Sequence, residues 1–454
     1  MNKKTLIALG AFVVLGIIAI VALRAPEKGE RASDRARPIP SLDAAQITTV
    51  DITKGGVTTT LKKEGETYRV IAPVAYAADA GNAKGVWESL GKMDVSDLVT
   101  EQPSKQSEFQ VDDKEGVRVV AKHDAQVLAD VIVGKSVGAG TMVRLPGKNE
   151  IWQASGLNRF TFDKPASDWR DKSITTFTAA DAQKLEIAAK DGAKLSLKKT
   201  GTKEGSEDKW QVVDATVKID KLDYATANGV VSALAAWKAN DFADGVKLAD
   251  AGLEPPAVTI TVGLKDGKSV SVLLGAKKGD DEMYVKKSDA PQVFLVKKYN
   301  VERINKAPIE FRDKTLCNID AADVTEVSVA AGDKSFALVK SGSDWKATKP
   351  KMEVDAGKVT PITSAFKDWK ATSFADDQSP KNNGLTKPKV VTAKSKEKGA
   401  PVCQVKIGDE SKDKLSYFVM TGKSNDVLMA PKWSVDRILV KPEDLKKATV
   451  AAKK

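Results

Sequence analysis

The chain has 454 residues, room for about three domains at roughly 100 to 200 residues each. Hydrophobic residues make up 42% and charged residues 29%, which excludes a mainly disordered polymer. Net charge is +11, yet only 12 of the 72 basic residues are arginine, and the lysines alternate with Asp and Glu. This predicts a solvated Lys-rich surface and no nucleic-acid groove, because such grooves lean on arginine for bidentate contacts.

Residues 1–4 form a short basic tail, and residues 5–23 follow without a charge. As a helix at 1.5 Å per residue that run spans about 28 Å, near the roughly 30 Å hydrocarbon core of a bilayer. Its exit, Val21-Ala22-Leu23-Arg24-Ala25-Pro26, lacks the small-x-small pattern of a signal cleavage site. The expectation is one uncleaved transmembrane helix. The flanking Lys and Arg count alone favours keeping the long carboxyl side in the cytoplasm. The short basic tail directly before the span, and the indifference of long domains to flanking charge, favour export instead. Residues 24–40, charged and broken by Pro26, Pro38 and Pro40, read as an extended spacer.

Beyond the spacer one pattern is written three times, at a spacing of about 135 to 142 residues. Asp43-Ala44-Ala45, Ala180-Asp181-Ala182 and Asp320-Ala321-Ala322-Asp323 each precede a β-branched strand ending at Ile52, Ile187 or Val329. Tyr68, Trp210 and Trp345 follow, and then Asp79, Asp220 and Asp355 stand where a helix N-cap belongs. Each predicted helix carries apolar residues at i, i+4 and i+7: Val86, Leu90, Met93; Val230, Leu234, Trp237; Ile362, Phe366, Trp369. One face of each is thus expected on a sheet. Val258-Thr259-Ile260-Thr261-Val262, the turn Asp266-Gly267 and Val270-Ser271-Val272-Leu273 spell a β-hairpin. Equivalent pairs run from Val117 to Val133 and from Val390 to Ile407, closing on Val133-Gly134, Leu274-Gly275 and Ile407-Gly408. The expected fold class is α+β: three tandem repeats at 41–174, 175–316 and 317–454, each an antiparallel sheet with one amphipathic helix, behind one N-terminal transmembrane helix.

The residues that carry chemistry at neutral pH are scarce. The single histidine, His123, lies between two predicted strands and reads as an exposed turn residue, which leaves no Ser-His-Asp or Cys-His arrangement to build. Cys317 and Cys403 are too far apart in sequence for a zinc motif and read as two separate thiols, although pairing is open to them. Asp280-Asp281-Glu282 reads as a solvated turn. Gly134-Lys135-Ser136 lacks the earlier glycine of a phosphate-binding loop, since Ala129 stands there, so Gly134 reads as a turn glycine. No catalytic residue, cofactor or metal site is expected. The sharpest local motif is Trp169-Arg170-Asp171-Lys172, repeated as Phe311-Arg312-Asp313-Lys314 at the ends of the first two repeats; the third is expected to close differently, on Ser434-Val435-Asp436-Arg437. Trp169, Arg170, Asp171, Phe311, Arg312 and Asp313 are therefore candidates for an inter-repeat junction.

Trp210, Gly252-Leu253, Leu274-Gly275 and Arg312-Asp313-Lys314, with Gly384-Leu385 and Ile407-Gly408 in the third copy, resemble a family known as domain of unknown function 4340. The resemblance spans Leu42 to about Lys447. It implies a bacterial envelope protein, associated with ABC-type exporters and the auxiliary proteins of gliding-motility-like systems, and it brings no catalytic residues; with the expected anchor and export, the localisation expected is the bacterial inner membrane with the carboxyl domains periplasmic. The expected function is a non-enzymatic, membrane-anchored scaffold or accessory subunit of an ABC-type export complex, with membrane-transport proteins as partners. The alternative is a binder of envelope glycan that uses its Lys-rich faces and any exposed ring among Trp87, Trp152, Trp169 and Trp433.

Overall fold

The structure is a computed structural model that describes residues 37–200, 209–375, 380–396, 403–422 and 426–447. The expected span at 5–23 and most of the spacer lie outside the described residues. Among the described residues no helix is long and apolar enough to cross a membrane. The described chain divides into two compact units, the first reaching Thr176 and taking in Ala236–Ala251 and Ala276–Lys298, the second formed by the remainder.

The first unit is built on a nine-stranded antiparallel sheet. In spatial order its strands are Tyr76–Ala77, Thr67–Ala72, Val57–Glu64, Thr49–Lys54, Val117–His123, Gln126–Val137, Gly140–Arg144, Ile151–Ser155 and Asp94–Thr100. Alternation sets its faces: Val50 and Ile52 are buried while Thr49, Asp51 and Thr53 between them are half-buried, as a period of two requires. Helix Ala80–Lys92 turns Ala83, Val86, Trp87 and Leu90 inward, and these join Leu61, Val70, Val119 and Phe162 in one core. The unit also holds Ala236–Lys238, which pairs with Ser173–Thr176, and the strands Glu282–Lys287, Val293–Lys297 and Asp241–Phe242, joined in that order.

The second unit holds five strands in the order Lys209–Ala215, Lys194–Thr200, Ala182–Ala189, Val258–Leu264 and Ser269–Lys278, the last of them as far as Gly275. The predicted hairpin is present, with Ile260 opposite Val272. A nine-stranded sheet follows in the order Lys351–Glu353, Asp344–Lys349, Phe336–Ser341, Val324–Ala330, Lys389–Ser395, Cys403–Glu410, Ser416–Thr421, Leu428–Pro431 and Ser373–Phe374. Helix Ala356–Ser364 buries Val359 and Ile362 in a core with Phe336, Phe366 and Trp369. Strand for strand, this order is that of the first unit's nine-stranded sheet.

The α+β expectation, with one helix per repeat behind a transmembrane helix, is overturned. Strand accounts for 46% of the described residues against 18% helix, with six α-helices among them, so the fold is mostly β. One reason is that predicted helix ends are strands. Trp237 lies in Ala236–Lys238, whose amides are claimed by Ser173–Thr176. Trp369 pairs likewise with Thr315–Cys317. Backbone hydrogen bonds to those incoming segments replace the last turn of helix. The other reason is that Asp94–Thr100 and Asp241–Phe242, for which no element was expected, are edge strands.

Two glycine and cysteine readings also change. Gly134 lies inside strand Gln126–Val137, where a Cβ would stand 2.3 Å from the Phe109 carbonyl oxygen; the loop before it crosses the strand there, and only glycine leaves the room. Gly408 meets the Asn383 carbonyl oxygen in the same way, at 2.1 Å. The following amides complete the crossing: Lys135 donates to Phe109, Ala276 to Ala251 and Asp409 to Asn383, at 3.0, 2.7 and 2.8 Å. Cys317 and Cys403 are joined in a disulfide with their Cα atoms 5.6 Å apart, inside the range such a bridge requires, so they are not two free thiols.

Candidate functional site

The junction motif is assembled by backbone first. A short 3-10 turn, Ala166–Trp169, buries Trp169 in the core of the first unit. Its carbonyl accepts from the Asp79 amide at 2.8 Å, and the Asp171 amide donates to Ala77 at 2.8 Å. Arg170 lies opposite Ala78 in a β-bridge. With its main chain held on both sides, Arg170 has one direction in which to send its side chain.

That side chain is 4% exposed and ends on residues far away in sequence. Its terminal nitrogens donate to both Asp244 carboxylate oxygens, at 2.6 and 3.1 Å, and to the Gln292 Oε1 at 3.0 Å. The guanidinium lies 3.6 Å from the Phe242 ring centroid and 4.9 Å from that of Tyr76. A planar cation, forked onto a carboxylate and stacked on an aromatic face, is a contact that lysine cannot copy. The hydrogen bonds from Arg170 hold the Asp244 carboxyl below its ordinary pKa against the opposing effect of burial. Burial raises the Tyr76 hydroxyl, offset in part by Arg170.

The second unit repeats the construction. Phe311 is buried at the end of the 3-10 turn Pro308–Phe311, its carbonyl accepts from the Asp223 amide at 2.8 Å, and the Asp313 amide donates to Lys221 at 2.8 Å. Arg312 bridges Leu222, reaches Asp426 at 3.1 Å and lies 3.6 Å from the Phe374 ring centroid. The aspartate after each arginine starts the next strand: Asp171 accepts from the Ser173 amide at 2.9 Å and Asp313 from the Thr315 amide at 2.8 Å. Asp313 also pairs with Lys221; burial pushes its carboxyl up, and the hydrogen bonds from Lys221 and Thr315 bring it below its ordinary value. The lysine carbonyls accept in turn, Lys172 from the Ala239 amide at 2.8 Å and Lys314 from the Ala371 amide at 2.9 Å.

The same backbone clasp closes the third segment, at a place other than expected. Ser434-Val435-Asp436 belongs to the short helix Lys432–Asp436, and the clasp is Leu445-Lys446-Lys447. The Leu445 carbonyl accepts from the Asp355 amide at 2.9 Å, the Lys447 amide donates to Glu353 at 3.2 Å, and Lys446 bridges Val354. Lysine thus stands where the other two segments have Arg170 and Arg312.

Of the three N-cap candidates, Asp79 accepts from the Asn82 amide at 2.9 Å and Asp355 from the Gly357 amide at 2.8 Å. Asp220 does not cap. Asp223 holds that place, accepting from the Ala225 amide at 3.0 Å and the Thr226 hydroxyl at 2.9 Å, while Asp220 pairs with Lys218 at 2.8 Å. The bridge residue decides this: Ala78, Leu222 and Val354 each stand immediately before the true cap.

Beside the second arginine a cleft of about 740 Å³ opens, walled by Arg312, Asp313, Phe374, Asp426 and the Cys317–Cys403 bridge. Its arginine is committed to Asp426 and its Asp313 to Lys221. Among the described residues no group of three or more His, Cys, Asp or Glu is placed to hold a metal ion. Of the tryptophans considered for glycan stacking, Trp87, Trp152 and Trp169 are buried and Trp433 is exposed. His123 is at the end of its strand, with Nδ1 2.7 Å from the Gln46 carbonyl oxygen.

Comparison with known proteins gives a family and little else. No curated protein matches the chain. Among solved structures, the crystal structure of a DnaN sliding clamp (DNA polymerase III subunit beta) from Pseudomonas aeruginosa bound to griselimycin is similar at 8% identity, over 88% of this chain and 94% of that one. Its TM-score of 0.12 carries no argument. The family described as Domain of unknown function (DUF4340) matches residues 68–256 and 221–388, and with these stretches covering more than half of its length, the chain belongs to that family.

Proposed function

We propose that the protein is a non-catalytic scaffold made of three copies of one sheet domain, serving as an accessory subunit of an ABC-type export complex in the bacterial envelope. The observation that carries the scaffold reading is the recurring arginine. Arg170 and Arg312 each leave the closing turn of one segment and insert between a phenylalanine and a carboxylate of the next. The buried guanidinium groups are spent on joining segments, which is what a protein built to present surfaces requires. The matching strand order of the nine-stranded sheets, and the third clasp at Leu445-Lys446-Lys447, support three copies. The export setting rests on the family resemblance and on the apolar run at residues 5–23.

In-cell crosslinking of the tagged full-length chain, followed by purification, tests the assignment. The expected result is recovery of an ABC permease, its ATPase or an auxiliary membrane subunit. Recovery of no transporter subunit, with every exporter assembly intact after deletion, would contradict it.

A further inference from the structure

Each segment opens on the same turn. The Gln46, Asp181 and Asp323 amides donate to the carbonyls of Asp43, Thr178 and Asp320, at 3.0, 2.9 and 2.9 Å. Four residues before those acceptors stand buried aliphatics, Ile39, Ile174 and Leu316, at 6%, 4% and 6% exposure. Four residues earlier again stand Arg170 and Arg312 in the second and third segments, and Arg35 in the first. Arg35 lies outside the described residues. Two positions after it, Arg37 reaches Asp94 at 3.1 Å, the first residue of the edge strand Asp94–Thr100.

That edge strand is built like the places that receive the other two arginines. Phe242, which stacks on Arg170, lies opposite Phe294, and Phe374, which stacks on Arg312, lies opposite Leu428. Leu98 lies opposite Trp152 in the same way. Two residues before those partners come Gln292 and Asp426, each of which holds its arginine, and, in the first segment, Glu150. The other acceptor of Arg170, Asp244, comes two residues after Phe242. In the first segment the register slips by one between Leu98 and Thr100, so the half-exposed Val99 is the extra residue of a bulge. Glu101 therefore takes the place of Asp244.

We infer that Leu98, Glu101 and Glu150 form a socket for the guanidinium of Arg35, clasping the juxtamembrane linker to the first segment. Charge names the occupant. Where Arg170 meets one carboxylate and one side-chain amide, this socket offers two carboxylates, which a forked cation satisfies together. Leu98 supplies an apolar wall without a ring face, so the carboxylates carry more of the contact here. The chain already runs to this strand, since Arg37 is bound to its first residue. Only residues 24–34 then separate the expected span from the clasp, a reach of at most about 40 Å, and the first segment works beside the bilayer. This goes beyond the scaffold reading and stands without a transporter partner.

The test is timed tryptic digestion of the full-length chain in detergent micelles, with the fragments identified by mass. The bonds after Arg31 and Arg35 are both open to trypsin by sequence. Wild type is expected to be cut after Arg31 at least about 10-fold faster than after Arg35, because a clasped bond must open before it is cleaved. The double variant Glu101→Gln/Glu150→Gln should speed the cut after Arg35 about 5- to 10-fold and leave the cut after Arg31 at its wild-type rate. A second variant, Arg35→Cys/Glu150→Cys, should be joined by a short bis-maleimide, and Arg31→Cys/Glu150→Cys should not. Equal wild-type rates after Arg31 and Arg35 overturn the inference. So does a glutamine variant that leaves the Arg35 rate unchanged, or a crosslink that forms as readily from position 31.

Discussion

At Arg170 a guanidinium is nine-tenths buried with its two terminal nitrogens satisfied by Asp244 and Gln292 and its face covered by Phe242. Lysine keeps the charge and loses the fork and the stack. Arg170→Lys is therefore expected to cost about 1–2 kcal/mol in chemical denaturation, whereas lysine substitutions on the open surface stay within roughly 0.5 kcal/mol. The Asp244 carboxyl is held below its ordinary value, chiefly by the hydrogen bonds from Arg170. A depressed folded-state pKa gives stability that is present above the unfolded value of about 4 and lost as pH falls through the folded one. The stability gap between wild type and Asp244→Asn should thus be constant from about pH 5 to 7 and shrink below about pH 4. A gap that grows on acidification would contradict the pairing. None of this partnership was legible in the sequence, because Asp244 is 74 positions from Arg170 and no spacing rule links them. The motif itself was legible, since a clasp repeated at two boundaries stands out without any knowledge of what it grips.

Helix starts show how local signals succeed and fail. Asp79 and Asp355 sit alone before their helices, so each was readable as a cap. The second segment offers two aspartates, Asp220 and Asp223, each after an apolar residue, Ile219 and Leu222, and the backbone tells them apart: Leu222 bridges Arg312, whereas Ile219 forms no bridge. Asp223→Ala should cost about 1 kcal/mol through two lost cap bonds, and Asp220→Ala, a surface pair with Lys218, less than about 0.5 kcal/mol. Equal losses in thermal unfolding would put the cap elsewhere. The third clasp was missed for a similar reason. Its signal is the proline at the start of the closing turn, Pro165 just before it and Pro308 and Pro442 as its first residue, whereas the aromatic and arginine that mark the first two are replaced by Leu445 and Lys446. Helix ends were overrun because Trp237 and Trp369 continue the 3.6-residue stripe, while strand pairing across the joint takes their backbone.

Across the molecule, the sheet-forming stretches could be read from alternation and turn residues, which act over a few positions. The dominance of strand over helix could not, because the edge strands Asp94–Thr100, Asp241–Phe242 and Ser373–Phe374 exist only through pairing with strands about 50 residues later. The scaffold reading makes a claim at this scale: the arginines convert a string of sheet segments into cooperatively folded units. Differential scanning calorimetry of wild type beside the double variant Arg170→Ala/Arg312→Ala tests it most directly. The account predicts fewer, sharper transitions in wild type and their splitting into separately melting segments, beginning at lower temperature, in the double variant. A double variant that melts with the wild-type midpoint and shape would show that the arginines do not hold the segments together, and the scaffold claim would fall with them.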